Sequence, residues 1–192
     1  MNNTKKITIS ALMVALATVL MWASKIIPLK WLQGGSVTFA SMVPIIAVSI
    51  MLGVKWGFLS SFVYAAIQMF EFYPPPTQTF LNFVLVIFLD YIIAYGVLGL
   101  SGAIYRLLGK KRFAIPVAGF VTVLLRYVCH IISGVLIWGV YAPNGQSVFL
   151  YSLIYNGSYM IPEIIITTVV LALLSKFFEQ AVPAPSSRPD KS

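Results

Sequence analysis

The sequence predicts an all-α membrane protein, with six transmembrane helices in one domain and both termini on the cytoplasmic side. Three observations carry that expectation. The chain is 59% hydrophobic and only 9% charged over 192 residues, where a soluble domain carries roughly a quarter of its residues charged. Its apolar residues gather into long runs, several reaching the ~20 residues a helix needs to cross hydrocarbon. Its basic residues fall almost entirely in alternate connections, as the cytoplasmic enrichment of Lys and Arg requires.

The spans follow in order. The first runs from Ile7 to Ile27 behind Lys5 and Lys6; without a small-residue cleavage site it reads as a retained helix and not a signal peptide. The second, Val37 to Leu52, is short, and a tight turn separates it from the third, Trp56 to Phe72, which stops before Pro74–Pro76 because proline cannot continue a helix. The fourth, fifth and sixth, Phe80 to Leu108, Phe113 to Val140 and Val148 to Phe178, exceed the bilayer and must tilt, kink or project. Residues 1–180 then form a single domain, and 181–192, rich in proline and serine, read as a disordered cytoplasmic tail.

With the termini inside, ten basic residues lie on the cytoplasmic side: Lys5, Lys6, Lys55, Arg106, Lys110, Lys111, Arg112, Lys176, Arg188 and Lys191. Only Lys25 and Lys30 lie outside. The net charge of +8 therefore reflects membrane sidedness and calls for no nucleic-acid partner. The single cysteine, Cys129, excludes an intrachain disulfide and a multi-cysteine metal site, and no cofactor motif is present.

Four ionisable residues interrupt the apolar spans: Asp90, Arg126, His130 and Glu163. Burying a charge at bilayer depth costs roughly 2.5–3.5 kcal/mol on insertion scales, so such residues face a bundle interior or a wet cavity and mark function. Arg126 and His130 are four apart on one helix face, and Gly134 and Trp138 continue that stripe. A cation, an imidazole, a gap and a large aromatic in line read as a ligand site. On the last span Tyr151, Tyr155, Tyr159 and Glu163 recur every four residues, with Ser152 and Asn156 one position along. Asn156 suits recognition because a primary amide donates and accepts at once, although an interhelical hydrogen bond explains it too. Asp90 either neutralises Arg126 or faces a cationic ligand, and Glu163 reads as a contact with a helix or a partner subunit. Three outer segments converge on this region, around Gly34–Ser36, around Glu71–Gln78 and around Tyr141–Gly145, with Tyr141 expected as an interfacial anchor.

Three segments together carry a resemblance. LLRYVCHIISGVLIWGVYAPNGQSVFLYSLIYNGSYMIPE at Leu124–Glu163, LDYIIAYGVLGLSG at Leu89–Gly102 and GGSVTFASMVPI at Gly34–Ile45 resemble, in order, parts of the thiamine-specific substrate-binding subunits of energy-coupling factor transporters, the ThiT family. The resemblance covers about residues 7–178. It implies the six-helix fold of such subunits, high-affinity binding of a vitamin from outside, and no chemistry on it. It also implies residue roles: Asp90, followed by Tyr91, meets the cationic thiazolium and the aminopyrimidine edge, while Arg126, His130, Gly134, Trp138, Tyr151 and Asn156 complete the site. Trp138 and His130 offer flat faces for stacking, and a cation gains from a carboxylate and a ring quadrupole alike.

The chain also departs from the family. Some members have glutamate where Asp90 stands, tryptophan where Tyr64 stands, and tryptophan near Gly35 in the first outer loop, where this chain has Trp31 a few residues earlier; Tyr64 and Trp31 join the candidate site on that ground. These differences keep a vitamin B6 form, pyridoxine or pyridoxal, in view as the alternative ligand.

On the first helix Ala11 and Ala15 make a small-xxx-small pattern that admits close approach of another helix, with Ala17 and Ala23 extending a smooth face. In the family such a pair resembles the docking surface for a transmembrane coupling subunit joined to two ATPases; the chain has no phosphate-binding glycine-lysine motif of its own. An intramembrane enzyme lacks a nucleophile elbow here, and a stand-alone proton-coupled carrier would be expected to show two related halves, which the sequence does not.

Overall fold

The computed structural model describes residues 1–26 and 35–181. Trp31 and the expected tail beyond Ala181 lie outside the described residues. The described chain is almost wholly helical, and its elements are α1 (Asn3–Ser24), α2 (Met42–Leu52), α3 (Val54–Gln68), α4 (Phe80–Leu107), α5 (Ala114–Leu136) and α6 (Val148–Ala181). Among the described residues four of these, α1, α4, α5 and α6, are long and apolar enough to cross a membrane.

Local sequence sets the ends. Asn2 caps α1 by accepting from the Lys5 N–H at 3.0 Å, and Thr79 caps α4 from the Asn82 N–H at 3.3 Å, each satisfying one of the donors a helix start leaves free. Gly53, at φ 96°, turns α2 into α3 in a backbone region that glycine alone enters without strain.

The second helix starts at Met42 instead of Val37. Residues 35–41 are not helical; Ala40 takes a left-handed φ of 59°, and its N–H donates to the Thr38 carbonyl at 2.9 Å. What remains of α2 has 11 residues, about 16 Å at 1.5 Å per residue, short of a ~30 Å hydrocarbon core. Every residue from Met42 to Ile50 is buried, because the helix is apolar all round and occupies the centre of the bundle.

Small residues let the helices meet. A Cβ on Gly102 would come within 2.8 Å of the Ser49 carbonyl carbon, and one on Gly99 within 2.8 Å of the Phe58 nitrogen. Ser49 ties this seam by donating to the Gly99 carbonyl at 2.6 Å and accepting from the Gly102 N–H at 2.9 Å. The pair α5 and α6 packs most extensively, through Gly119, Gly134 and Gly157, the means by which helices associate where hydrophobic burial cannot drive them.

The fourth span is not a regular helix. Ile87–Ile93 winds as a π-helix and Val97–Leu100 as a 3-10 helix, between α-helical turns. Asp90 sits in the π segment. Such widened turns are uncommon and recur where a helix presents a functional side chain.

Candidate functional site

A cavity opens at one end of the bundle between α4, α5 and α6, walled on its other sides by Gly35, Ser36, Gln68, Glu71 and Tyr73. Asp90, Tyr91, Arg126, His130, Gly134, Trp138, Tyr151 and Asn156 all line it. Tyr64 does not line it: it is fully buried behind the wall, edge-on to the Tyr95 ring at 5.2 Å. Ala11 and Ala15 lie far from it, on the exposed face of α1.

Three polar groups inside the cavity form one chain. Arg126 Nε donates to His130 Nε2 at 3.2 Å, and His130 Nδ1 meets Asp90 Oδ1 at 2.9 Å. A guanidinium has no acceptor, so Nε2 must accept; the proton of this imidazole then sits on Nδ1 and is donated to Asp90. The ring is uncharged in this tautomer, and Asp90 balances Arg126 through it, not by the direct pairing that the sequence left open. Asp90 Oδ2 accepts from Ser133 Oγ at 2.6 Å and from Trp138 Nε1 at 3.4 Å. An ionised carboxylate offers about four lone-pair sites, so one remains for another donor. The Arg126 guanidinium also lies 3.9 Å over the Tyr95 ring, a cation–π contact that offsets part of its burial.

The stripe predicted on α5 holds through Gly134 and breaks before Trp138. The helix ends at Leu136, and Trp138, at φ −94° and ψ 1°, reaches the cavity from the turn that follows. Its ring is stacked on Tyr141 at 6.3 Å and tilted against Tyr73 at 5.8 Å. Tyr141 is therefore a backing for Trp138 as well as a half-exposed residue near the rim.

Asn156 is buried and already engaged. Its amide donates to the His130 carbonyl at 3.1 Å and to the Ser152 carbonyl and hydroxyl at 2.9 and 3.1 Å, while its oxygen accepts from Tyr159 Oη at 2.5 Å. It joins α5 to α6 and still faces the cavity, so the interhelical and lining positions coincide. Gly134 makes room for it: a Cβ there would stand 3.0 Å from Asn156 Nδ2 and 2.9 Å from Ser152 Cβ.

The rim is tied by Lys25, which forms an ion pair with Glu71, and by Tyr91, whose hydroxyl donates to the Glu71 carbonyl at 3.4 Å. Ser133, Tyr95 and Tyr73 were not singled out from the sequence. Ser133, three residues past His130 on the same helix, had the spacing that would have found it.

Long apolar helices around a rim-accessible polar cavity define a multi-pass integral membrane protein of the cell membrane. The chain belongs to the thiamine transporter protein family (Thia_YuaJ), whose sequence profile matches residues 7–182. It is 36% identical over 151 residues to the thiamine transporter ThiT of Bacillus subtilis (strain 168), covering 74% of this chain and 76% of that one. It is 35% identical over 95 residues to the thiamine transporter ThiT of Lacticaseibacillus paracasei, covering 45% and 47% of the two chains. A solved structure of ThiT from Listeria monocytogenes superposes with a TM-score of 0.69 at 21% identity, over 93% of this chain and all of the other, which establishes a shared fold. The family is one of transporters, and the chain is not an enzyme.

Proposed function

We propose that this protein binds thiamine in the α4–α5–α6 cavity and delivers it to an ATP-driven importer of the energy-coupling factor type. The observation that carries the reading is the Arg126–His130–Asp90 chain, which leaves a carboxylate with a vacant lone pair facing an aromatic-walled cavity. Asp90 is the countercharge for the thiazolium, with Trp138, Tyr151 and Tyr91 supplying ring faces for cation–π and stacking contacts. The second lone pair of Asn156 Oδ1 accepts from the exocyclic amine of the aminopyrimidine. Tyr64 acts from behind, by fixing Tyr95 under Arg126. Residues 1–180 form one domain of six transmembrane passages with both termini cytoplasmic. In the second passage residues 35–41 make up the length that the short α2 lacks, and the distribution of Lys and Arg sets the orientation.

Ala11 and Ala15 form the docking seam for the coupling subunit. They line an apolar groove with Val14, Trp56, Leu59 and Val63 between α1 and α3, in which another helix can approach closely. Ala17, which the sequence placed on the same smooth face, is instead fully buried within the bundle and belongs to packing. Two ATPase subunits complete the importer.

Purified protein without its partners should bind thiamine with quenching of tryptophan fluorescence, and Trp138→Phe should remove most of the quench. Calorimetry that detects pyridoxine binding and no thiamine binding would transfer the site to vitamin B6.

A further inference from the structure

Glu163 takes no part in the cavity lining, yet it is 2% exposed in the middle of a membrane helix. Its Oε1 accepts from the Thr38 backbone N–H. Its Oε2 is buried without a hydrogen-bond partner among the described residues. Thr38 belongs to the non-helical segment 35–41, whose backbone groups are not paired in a continuous helix: the Ala40 N–H donates to the Thr38 carbonyl at 2.9 Å and the Ala40 carbonyl accepts from the Val43 N–H at 3.0 Å. Non-helical backbone at membrane depth persists only where protein or a cavity wall takes up those groups. The same segment carries Gly35 and Ser36 into the cavity wall. Gly35 rests on the Tyr159 ring, so closely that a Cβ would stand 2.5 Å from two ring carbons. Tyr159 and Glu163 are one helical turn apart, so α6 holds the segment at two successive points. The segment adds its own tie, from Thr38 Oγ1 to Ser41 Oγ at 2.8 Å.

We propose that Glu163 is a positioning residue: its carboxylate fixes the Thr38 N–H and thereby holds segment 35–41 so that Gly35 and Ser36 stand in the wall of the ligand cavity, without touching the ligand. The chemistry required is an acceptor at Oε1. Glutamine supplies that acceptor as well as glutamate does, whereas leucine matches the volume and removes it. The effect on the ligand rests on the reading of this cavity as a vitamin site; the effect on the backbone does not.

Two readouts on Glu163→Leu and Glu163→Gln therefore separate the claims. Amide hydrogen exchange of the 35–41 segment, measured on ligand-free protein, should be up to about tenfold faster in the leucine variant, because the hydrogen bond that holds the Thr38 N–H is lost, and near the parent rate in the glutamine variant. Thiamine dissociation, followed by fluorescence after dilution, should quicken by about the same factor in the leucine variant and be restored by glutamine. Equal exchange in the parent and the leucine variant overturns the proposal, as does a glutamine variant that opens as fast as the leucine one. Faster exchange in the leucine variant with no thiamine bound by any form leaves the anchoring intact and removes the vitamin reading instead. Where Glu163→Leu fails to fold, Glu163→Gln with parental exchange but altered thiamine release locates the effect in the charge and overturns the acceptor role.

Discussion

Replacing Asp90 by asparagine removes one negative charge from the site while changing little else. Asn Oδ1 can keep the His130 Nδ1–H, whose tautomer cannot switch while Arg126 donates to Nε2. The new amide then faces Ser133, whose hydroxyl turns from donor to acceptor. Only Trp138 Nε1, already at 3.4 Å, loses an acceptor. The variant should fold, with stability lowered by more than the ~1 kcal/mol of one hydrogen bond, because the partly buried Arg126 loses the carboxylate that balances its charge. Binding responds differently. A quaternary thiazolium has no N–H to donate, so what a cationic ligand loses is the Coulombic attraction of the carboxylate, about 1–4 kcal/mol for unit charges 4 Å apart, and at 1.4 kcal/mol per decade this weakens it by about five- to a thousandfold. An Arg126 left without its balancing carboxylate repels the cation further. An analogue with a neutral aromatic ring in place of the thiazolium should change by no more than about threefold, within the loss of a weak neutral hydrogen bond. Calorimetric titration of parent and variant with both ligands measures the difference. Equal losses for the two would show that Asp90 acts on the shape of the site and not through its charge.

Gly134→Ala should lower the melting temperature and weaken thiamine together. Its Cβ would press on Ser152 and Asn156, and overpacking of this kind costs about 1–3 kcal/mol; unchanged binding in a thermally destabilised variant would separate Asn156 from recognition. Ala11→Leu with Ala15→Leu should leave thiamine binding within about twofold, because both side chains are exposed on α1 away from the cavity, yet abolish uptake by filling the α1–α3 groove. Full uptake by cells carrying the complete importer would place the coupling subunit on another surface.

The sequence by itself determined that the chain lies in a membrane and which residues resist that setting. Charge is expensive in lipid wherever it occurs along the chain, so Asp90, Arg126, His130 and Glu163 stand out without any knowledge of the fold. The four-residue spacing of Arg126, His130 and Gly134 was also legible, since α5 is a regular helix through those positions. Periodicity failed where the backbone left the α-helix. Trp138 reaches the cavity from a turn and Asp90 from a π-helical segment, and residues 37–41, which the apolar pattern assigned to a helix, are not helical. Only the tertiary structure decided which charges pair. Asp90 and Arg126 are bridged by His130 because α4 and α5 approach at that level, and Glu163 meets Thr38, 125 residues earlier in the chain. The orientation of hydrogen-bonding groups across a helix interface depends on the separation and rotation of both helices, and neither is encoded in the spacing within one of them.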